Sequence, residues 1–210
     1  LSEQTGPSYH FVYWPEIDTA GHVYSPESKE YRSEISLFSH LFLGEFLEKV
    51  DKKVAEKTLL MLTSDHGQVP IQPNRITYLN KNTKIMRSLQ EGKSGDVIVP
   101  TGSPRDVFLF VKPLEVQKTM EELRKLINGN GEVISTQEAI NRGLFGVGRV
   151  SERFQRRIGN VHIMPELGSE VWYEHKPGER FSLLGHHGGL SEEEMIIPFA
   201  ISRLSALLLQ

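Results

Sequence analysis

TLLMLTSDHGQ, residues 58–68, is an unbroken apolar run that stops abruptly at a carboxylate and an imidazole. An apolar run of this length between polar residues suits a strand buried on both faces, as parallel strands are. Upstream, YHFVYW at 9–14 is aromatic and β-branched, which predicts a second buried strand. Between the two, SPESKEYRSEISLFSHLFLGEFLEKVDKKVAEK reads as one long helix. Ser25 or Ser28 suits its cap, Pro26 its first turn, and acidic residues crowd its start. Ile35, Phe38, Phe42, Phe46 and Val50 recur at three- and four-residue steps, a stripe expected to face a core. Strand, loop, helix, strand is a βαβ unit, whose crossover makes its strands parallel and is right-handed in nearly every case. Both strands then end on one sheet edge. The loop DTAGH, with Asp18 and His22, should emerge beside SDHG, with Asp65 and His66, where open α/β sheets hold their ligands.

Composition narrows the chemistry. The 210 residues suffice for one sizeable core and at most two small domains. A hydrophobic share of 38%, a charged share of 24% and a net charge of −3 describe an ordinary soluble protein, with no nucleic-acid-binding signature. The absence of cysteine excludes disulfides, thiolate zinc sites and a cysteine nucleophile. The apolar runs fall far short of the roughly 20 residues that span a bilayer. The chain begins LSEQTGPS without a methionine, as expected of a fragment or processed piece with any targeting segment upstream. A soluble, cytoplasmic setting is the default expectation; oligomeric state does not follow from these residues.

Beyond residue 70 the texture changes. DVIVPTG, RDVFLFVKP, GEVIST and NVHIMPE read as short strands, and LEVQKTMEELRKLINGNG as a helix that ends on asparagine and glycine. MIIPFAIS then reads as a strand that rejoins the main sheet, with Pro198 placing it at an edge or a strand start. The expected organisation is an α/β core over 1–74, an α+β insert subdomain over 75–180, and a return segment over 181–210.

Three words concentrate the polar chemistry: DTAGH, SDHG and GHHGG, the last with His186 and His187. Carboxylate oxygens and imidazole nitrogens suit zinc, manganese or iron(II). The adjacent glycines allow tight turns and close approach of a bound anion. Each word alone is a weak signal. Asp65 equally suits a turn cap, His66 an exposed position, and His186–His187 a surface loop. The joint pattern, with DTAGH and SDHG expected on one sheet edge, is what favours a metal site. Arg153, Arg156 and Arg157 fit a solvated basic face better than a phosphate clamp, and His162 and His175 lack a metal-like context.

With those residues in view, the sequence resembles the C-terminal part of an alkaline phosphatase superfamily enzyme, more narrowly the type I phosphodiesterase/nucleotide pyrophosphatase branch. The matching words are YWPEIDTAGHVYSP at 13–26, LLMLTSDHGQ at 59–68 and GHHGGLSEEEMIIPF at 185–199, with VFLFVKP, NRGLFG and RRIGNVHIMPE between them. The resemblance implies an alkaline-phosphatase-like α/β sheet and two divalent metal ions, Zn2+ foremost, with Mn2+ also accepted by this donor set. Asp18, His22 and His187 would hold one ion, and Asp65 and His66 the other; His186 is the rival of His187. It implies a phosphate ester or nucleotide substrate. The hydroxyl nucleophile and the remaining ligand of the second ion belong to segments nearer the N-terminus in the family, so no catalytic nucleophile is assigned here, neither Thr63 nor Ser64. Phosphomonoesterase or phosphomutase activity, and a non-catalytic metal-binding or interaction domain, remain the alternatives.

Overall fold

A computed structural model describes residues 6–208. The N-terminal third is helical. α1 (Glu16–Tyr24) is followed by α2 (Lys29–His40), whose N-terminus is capped by Ser28, its hydroxyl accepting the Tyr31 N–H at 3.0 Å. The expected long helix does not run through. It widens into a π-type segment at Leu41–Phe46 around Gly44, tightens over Leu47–Lys49, and stops at Val50. Asp51 then caps a new helix, α3 (Lys52–Lys57). Gly44 lies inside this segment, and glycine has the lowest helix propensity of any residue but proline. The stripe stays stacked across the break, with Phe38 on Phe42 at 6.0 Å and Phe42 on Phe46 at 5.6 Å between ring centroids.

β1 (Leu59–Thr63) forms as the apolar run predicts, and is followed by β2 (Val69–Pro70) and β3 (Ile76–Tyr78). The central region contributes α4 (Thr83–Ser88), β4 (Thr101–Ser103), β5 (Asp106–Leu109), α5 (Val116–Ile127), β6 (Gly131–Ser135), α6 (Thr136–Asn141), α7 (Glu152–Gln155) and β7 (Val161–Pro165). β8 (Glu170–Trp172), β9 (Gly185–His186), α8 (Glu192–Met195), β10 (Phe199–Arg203) and α9 (Leu204–Leu207) complete the order. Strands β4-β5-β7-β6 make an antiparallel sheet. The amphipathic α5 lays Met120, Leu123 and Ile127 against it, beside Leu109, Val133, Val161 and Ile163. This core holds most of the buried aliphatic side chains. α5 ends as expected, on Asn128 in the left-handed conformation at φ 50°.

Two expectations need correction. Residues 9–14 form no strand: among the described residues nothing pairs with them, and Tyr9 and Phe11 stand 84% and 75% exposed. Only Trp14 is anchored, donating to Glu34 and meeting Phe38 edge-on. Nor is β1 parallel or buried on both faces. It pairs antiparallel with β10, Met61 opposite Ile201, and leaves Leu59, Met61, Phe199 and Ile201 exposed. An apolar run reports that a strand wants covering; it does not choose the partner or supply the cover. β10 does begin directly after Pro198, where the missing N–H costs no ladder bond. No helix among the described residues is long and apolar enough to cross a membrane.

Candidate metal centre

Asp18 and His22 lie on a helix and not in a loop. On α1 they stand one turn apart, on the same face, with His22 Nε2 3.4 Å from Asp18 Oδ1. The other two words come to them through strand pairing. β2, directly after the SDHG turn, runs antiparallel to β9 with Val69 opposite His186. That register sets the turn carrying His66 against the turn carrying His187, and the two imidazoles stack at 3.4 Å between centroids, 12° from parallel. β9 is pinned to α1 in turn: Leu184 N–H donates to the His22 carbonyl, and His22 Nδ1 lies 2.8 Å from the Gly185 carbonyl.

Donor atoms of Asp18, His66 and His187 all lie within 4.8 Å of one another. His22 joins this group through Asp18, and Asp65 through His66, whose Nε2 is 3.6 Å from Asp65 Oδ1. His187 Nε2 is 4.0 Å from Asp18 Oδ1. The five residues singled out in the sequence are thus brought to one place. The cluster cuts across the grouping implied by the resemblance, since His66 stands with Asp18 and His187.

The donor chemistry fits a divalent cation. A carbonyl oxygen only accepts, so the Nδ1 atoms of His22 and His66, at 2.8 and 2.9 Å from the carbonyls of Gly185 and Gly67, carry the proton. In the neutral ring this leaves Nε2 with the lone pair, turned towards the carboxylates, an arrangement that second-shell carbonyls impose on metal-binding histidines. Burial, and then the neighbouring His66, hold His187 below the ordinary imidazole range, partly opposed by Asp18. His187 is therefore neutral near pH 7, as a ligand must be.

His186 has different surroundings. Its Nδ1 donates to the His187 carbonyl and lies 3.8 Å from Glu170, and burial lowers its pKa to about 4. Glu170 is fully buried, and neither carboxylate oxygen has a hydrogen-bond partner among the described residues. Its pKa is pushed up to about 8 by burial, against the pull of Arg105 and with the repulsion of Glu194. The two shifts act oppositely on stability. Glu170 contributes most below its unfolded value of 4.5 and loses that contribution as pH rises towards 8. His186 contributes above its unfolded 6.5 and loses it as pH falls towards 4. Between pH 6.5 and 8 the Glu170 slope stands alone. Glu170→Gln is therefore expected to flatten the decline of the urea midpoint over that interval; an unchanged slope would count against the assignment.

The glycines beside the histidines are closely packed by the protein itself. A Cβ on Gly67 would overlap the carbonyl of Glu193. Gly67→Ala is expected to cost about 1–3 kcal/mol through forced backbone displacement and to move the His66 ring, read by urea denaturation and by the histidine NMR signals.

Three residues of the site escaped the sequence reading. Gln68 donates its amide to the Asp18 carbonyl and carboxylate at 3.3 and 3.2 Å, and Arg105 and Glu194 form a buried pair behind the His187 turn. Gln68 follows directly on the SDHG word, a position that was available to notice. Glu194 lies in a run of three glutamates that reads as a solvated helix start, and nothing local separates it from its neighbours.

The sequence profile of the type I phosphodiesterase/nucleotide pyrophosphatase family matches residues 1–190. An uncharacterized pyrophosphatase/phosphodiesterase of Schizosaccharomyces pombe is 30% identical over 195 residues, covering 90% of this chain and 37% of that protein. Among solved structures, murine ectonucleotide pyrophosphatase/phosphodiesterase 5 superposes with a TM-score of 0.62 at 23% identity, over 91% of this chain and 46% of that one. An inactive variant of the murine protein in complex with AMP gives 0.61. The human protein of that name gives 0.57 at 20% identity, over 90% and 46% of the two chains. The α/β fold expected from the sequence is that of these structures, and the chain spans less than half the length of the relatives it matches.

Proposed function

Because the chain belongs to the type I phosphodiesterase/nucleotide pyrophosphatase family, we propose that it carries the metal-holding part of a phosphodiesterase/nucleotide pyrophosphatase active site. The observation behind this reading is the convergence of Asp18, His66 and His187 within 4.8 Å, with His22 and Asp65 alongside. Asp18, His22 and His187 would hold one divalent ion and Asp65 and His66 a second, with zinc the first choice. Bound there, such a pair supplies Lewis acidity towards a phosphoryl oxygen and activation of the attacking oxygen.

The chain's own residues set the conditions. The Nδ1 atoms of His22 and His66 are spent on backbone carbonyls, so the neutral form of each ring presents its lone pair at Nε2. Gln68 fixes the rotamer of Asp18 by donating to its carboxylate. Two carboxylates among three neutral rings leave a doubly occupied site with net positive charge, suited to a phosphate ester. Two-step transfer needs a hydroxyl nucleophile, and this reading places it outside these 210 residues. A nucleotide is the favoured substrate class, consistent with AMP in the inactive murine relative.

The test has two arms. Zinc titration of this chain should show a tight equivalent that Asp18→Ala abolishes, while the chain alone leaves a chromogenic phosphodiester intact. Full-length protein should cleave that diester faster than the matching monoester. Equal zinc binding by native chain and Asp18→Ala would remove the site assignment, and a monoester preference would move the protein to another branch of the superfamily.

A further inference from the structure

Glu194 touches both histidine-bearing turns. Its backbone carbonyl accepts the Gly67 N–H at 2.8 Å, and its side-chain Oε1 accepts the Gly189 N–H at 2.9 Å. Gly67 follows His66 and Gly189 stands two residues after His187, so a single residue ties the turns whose imidazoles stack at 3.4 Å. The Glu194 carboxylate is itself gripped by Arg105, with Nε on Oε1 at 2.9 Å and Nη2 on Oε2 at 2.6 Å. Arg105 precedes β5, is 1% exposed, and spends Nη1 on the carbonyls of Pro165, Glu166 and Ser169 at 3.3, 2.6 and 2.7 Å. Those carbonyls line the connection from β7 to β8. The pair therefore ties the histidine turns to the edge of the antiparallel sheet, where Arg105 joins β4 to β5 and Pro165 ends β7. A bidentate guanidinium–carboxylate fork shut away from water has a narrow geometry and is costly to distort. Gly189 is packed to the limit against it: a Cβ there would press on both the Glu194 carboxylate and the Arg105 guanidinium.

We propose that the Arg105–Glu194 pair is the positioning element of the donor cluster, setting the separation of His66 and His187 from the antiparallel sheet. Neither residue reaches the reacting atoms. The consequence for metal binding rests on the function proposed above; the positioning itself does not.

Glu194→Gln in the 210-residue chain keeps an oxygen for the Gly189 N–H but breaks the charge pairing with Arg105. Zinc affinity is expected to fall about 10- to 100-fold, the usual effect of disturbing groups that orient ligands. In the metal-free protein the ring NMR signals of His66 and His187 are expected to move while that of His175 stays. Gly189→Ala, which retains both charges, should act in the same direction, and it decides the matter if Glu194→Gln fails to fold. Ile163→Ala, a core truncation in β7, controls for lost stability and should leave both readouts unmoved. Native ring signals and native zinc affinity in Glu194→Gln and Gly189→Ala would overturn the proposal. If the native chain binds no zinc, the proposed function fails by itself, and the metal-free ring signals alone decide the positioning role.

Discussion

His187→Ala is expected to lower zinc affinity by more than about 100-fold, whereas His186→Ala should leave it near the native value. Disturbing a group that merely orients a ligand costs about 10- to 100-fold, and loss of a direct imidazole ligand exceeds that. The two histidines are adjacent and both flanked by glycine, so composition treats them alike. Their surroundings do not. His187 presents Nε2 towards Asp18 and stacks on His66, while His186 packs against Phe181 and the buried Glu170. Truncating His186 removes packing, so its loss should appear in the urea midpoint instead. Competition with a chromophoric chelator at pH 7.5 measures both variants. Equal losses of affinity would sink the assignment of His187.

Arg105→Met is expected to destabilise the chain by about 3–5 kcal/mol, the cost of leaving a buried charge without its partner. Glu194 would keep the Gly189 N–H for its carboxylate but lose both guanidinium bonds, and three carbonyls would lose a donor. Against a typical total of about 5–15 kcal/mol, that is a large fraction. Arg105→Lys should recover little, because one ammonium cannot serve two carboxylate oxygens and three carbonyls in the geometry of a fork. The double variant Arg105→Met with Glu194→Leu should recover much of the loss, since removing both charges removes the unpaired one. Urea denaturation of the three variants is the measurement. A loss under about 1 kcal/mol for Arg105→Met would mean that water reaches the pair.

The residues of the candidate centre were more legible than the architecture that delivers them. Asp18, His22, Asp65, His66 and His187 stand out because carboxylates and imidazoles close apolar segments beside glycines, and because their words match a known family. The strand at 59–63 was equally plain, since four consecutive apolar residues flanked by threonines leave few alternatives. The run at 9–14 has the same local character and forms no strand, because β structure is completed by a neighbour's hydrogen bonds and no described segment offers them. Gly44 was visible in the expected long helix, but whether one glycine breaks a helix depends on what packs around it.

By itself, then, the sequence determined the donor types, their order along the chain and the strand that ends in SDHG. Tertiary structure alone decided that Asp18 and His22 share a helix face, that β2 pairs with β9 in a register setting His66 against His187, and that carbonyls hold the Nδ1–H of His22 and of His66 so that Nε2 is free. It also decided that Glu194, one of three consecutive glutamates, lies buried with Arg105 and touches both histidine turns. The physical reason is range: residue chemistry is carried by each side chain, whereas strand partners, tautomers and buried ion pairs are set by groups as far as 163 residues apart.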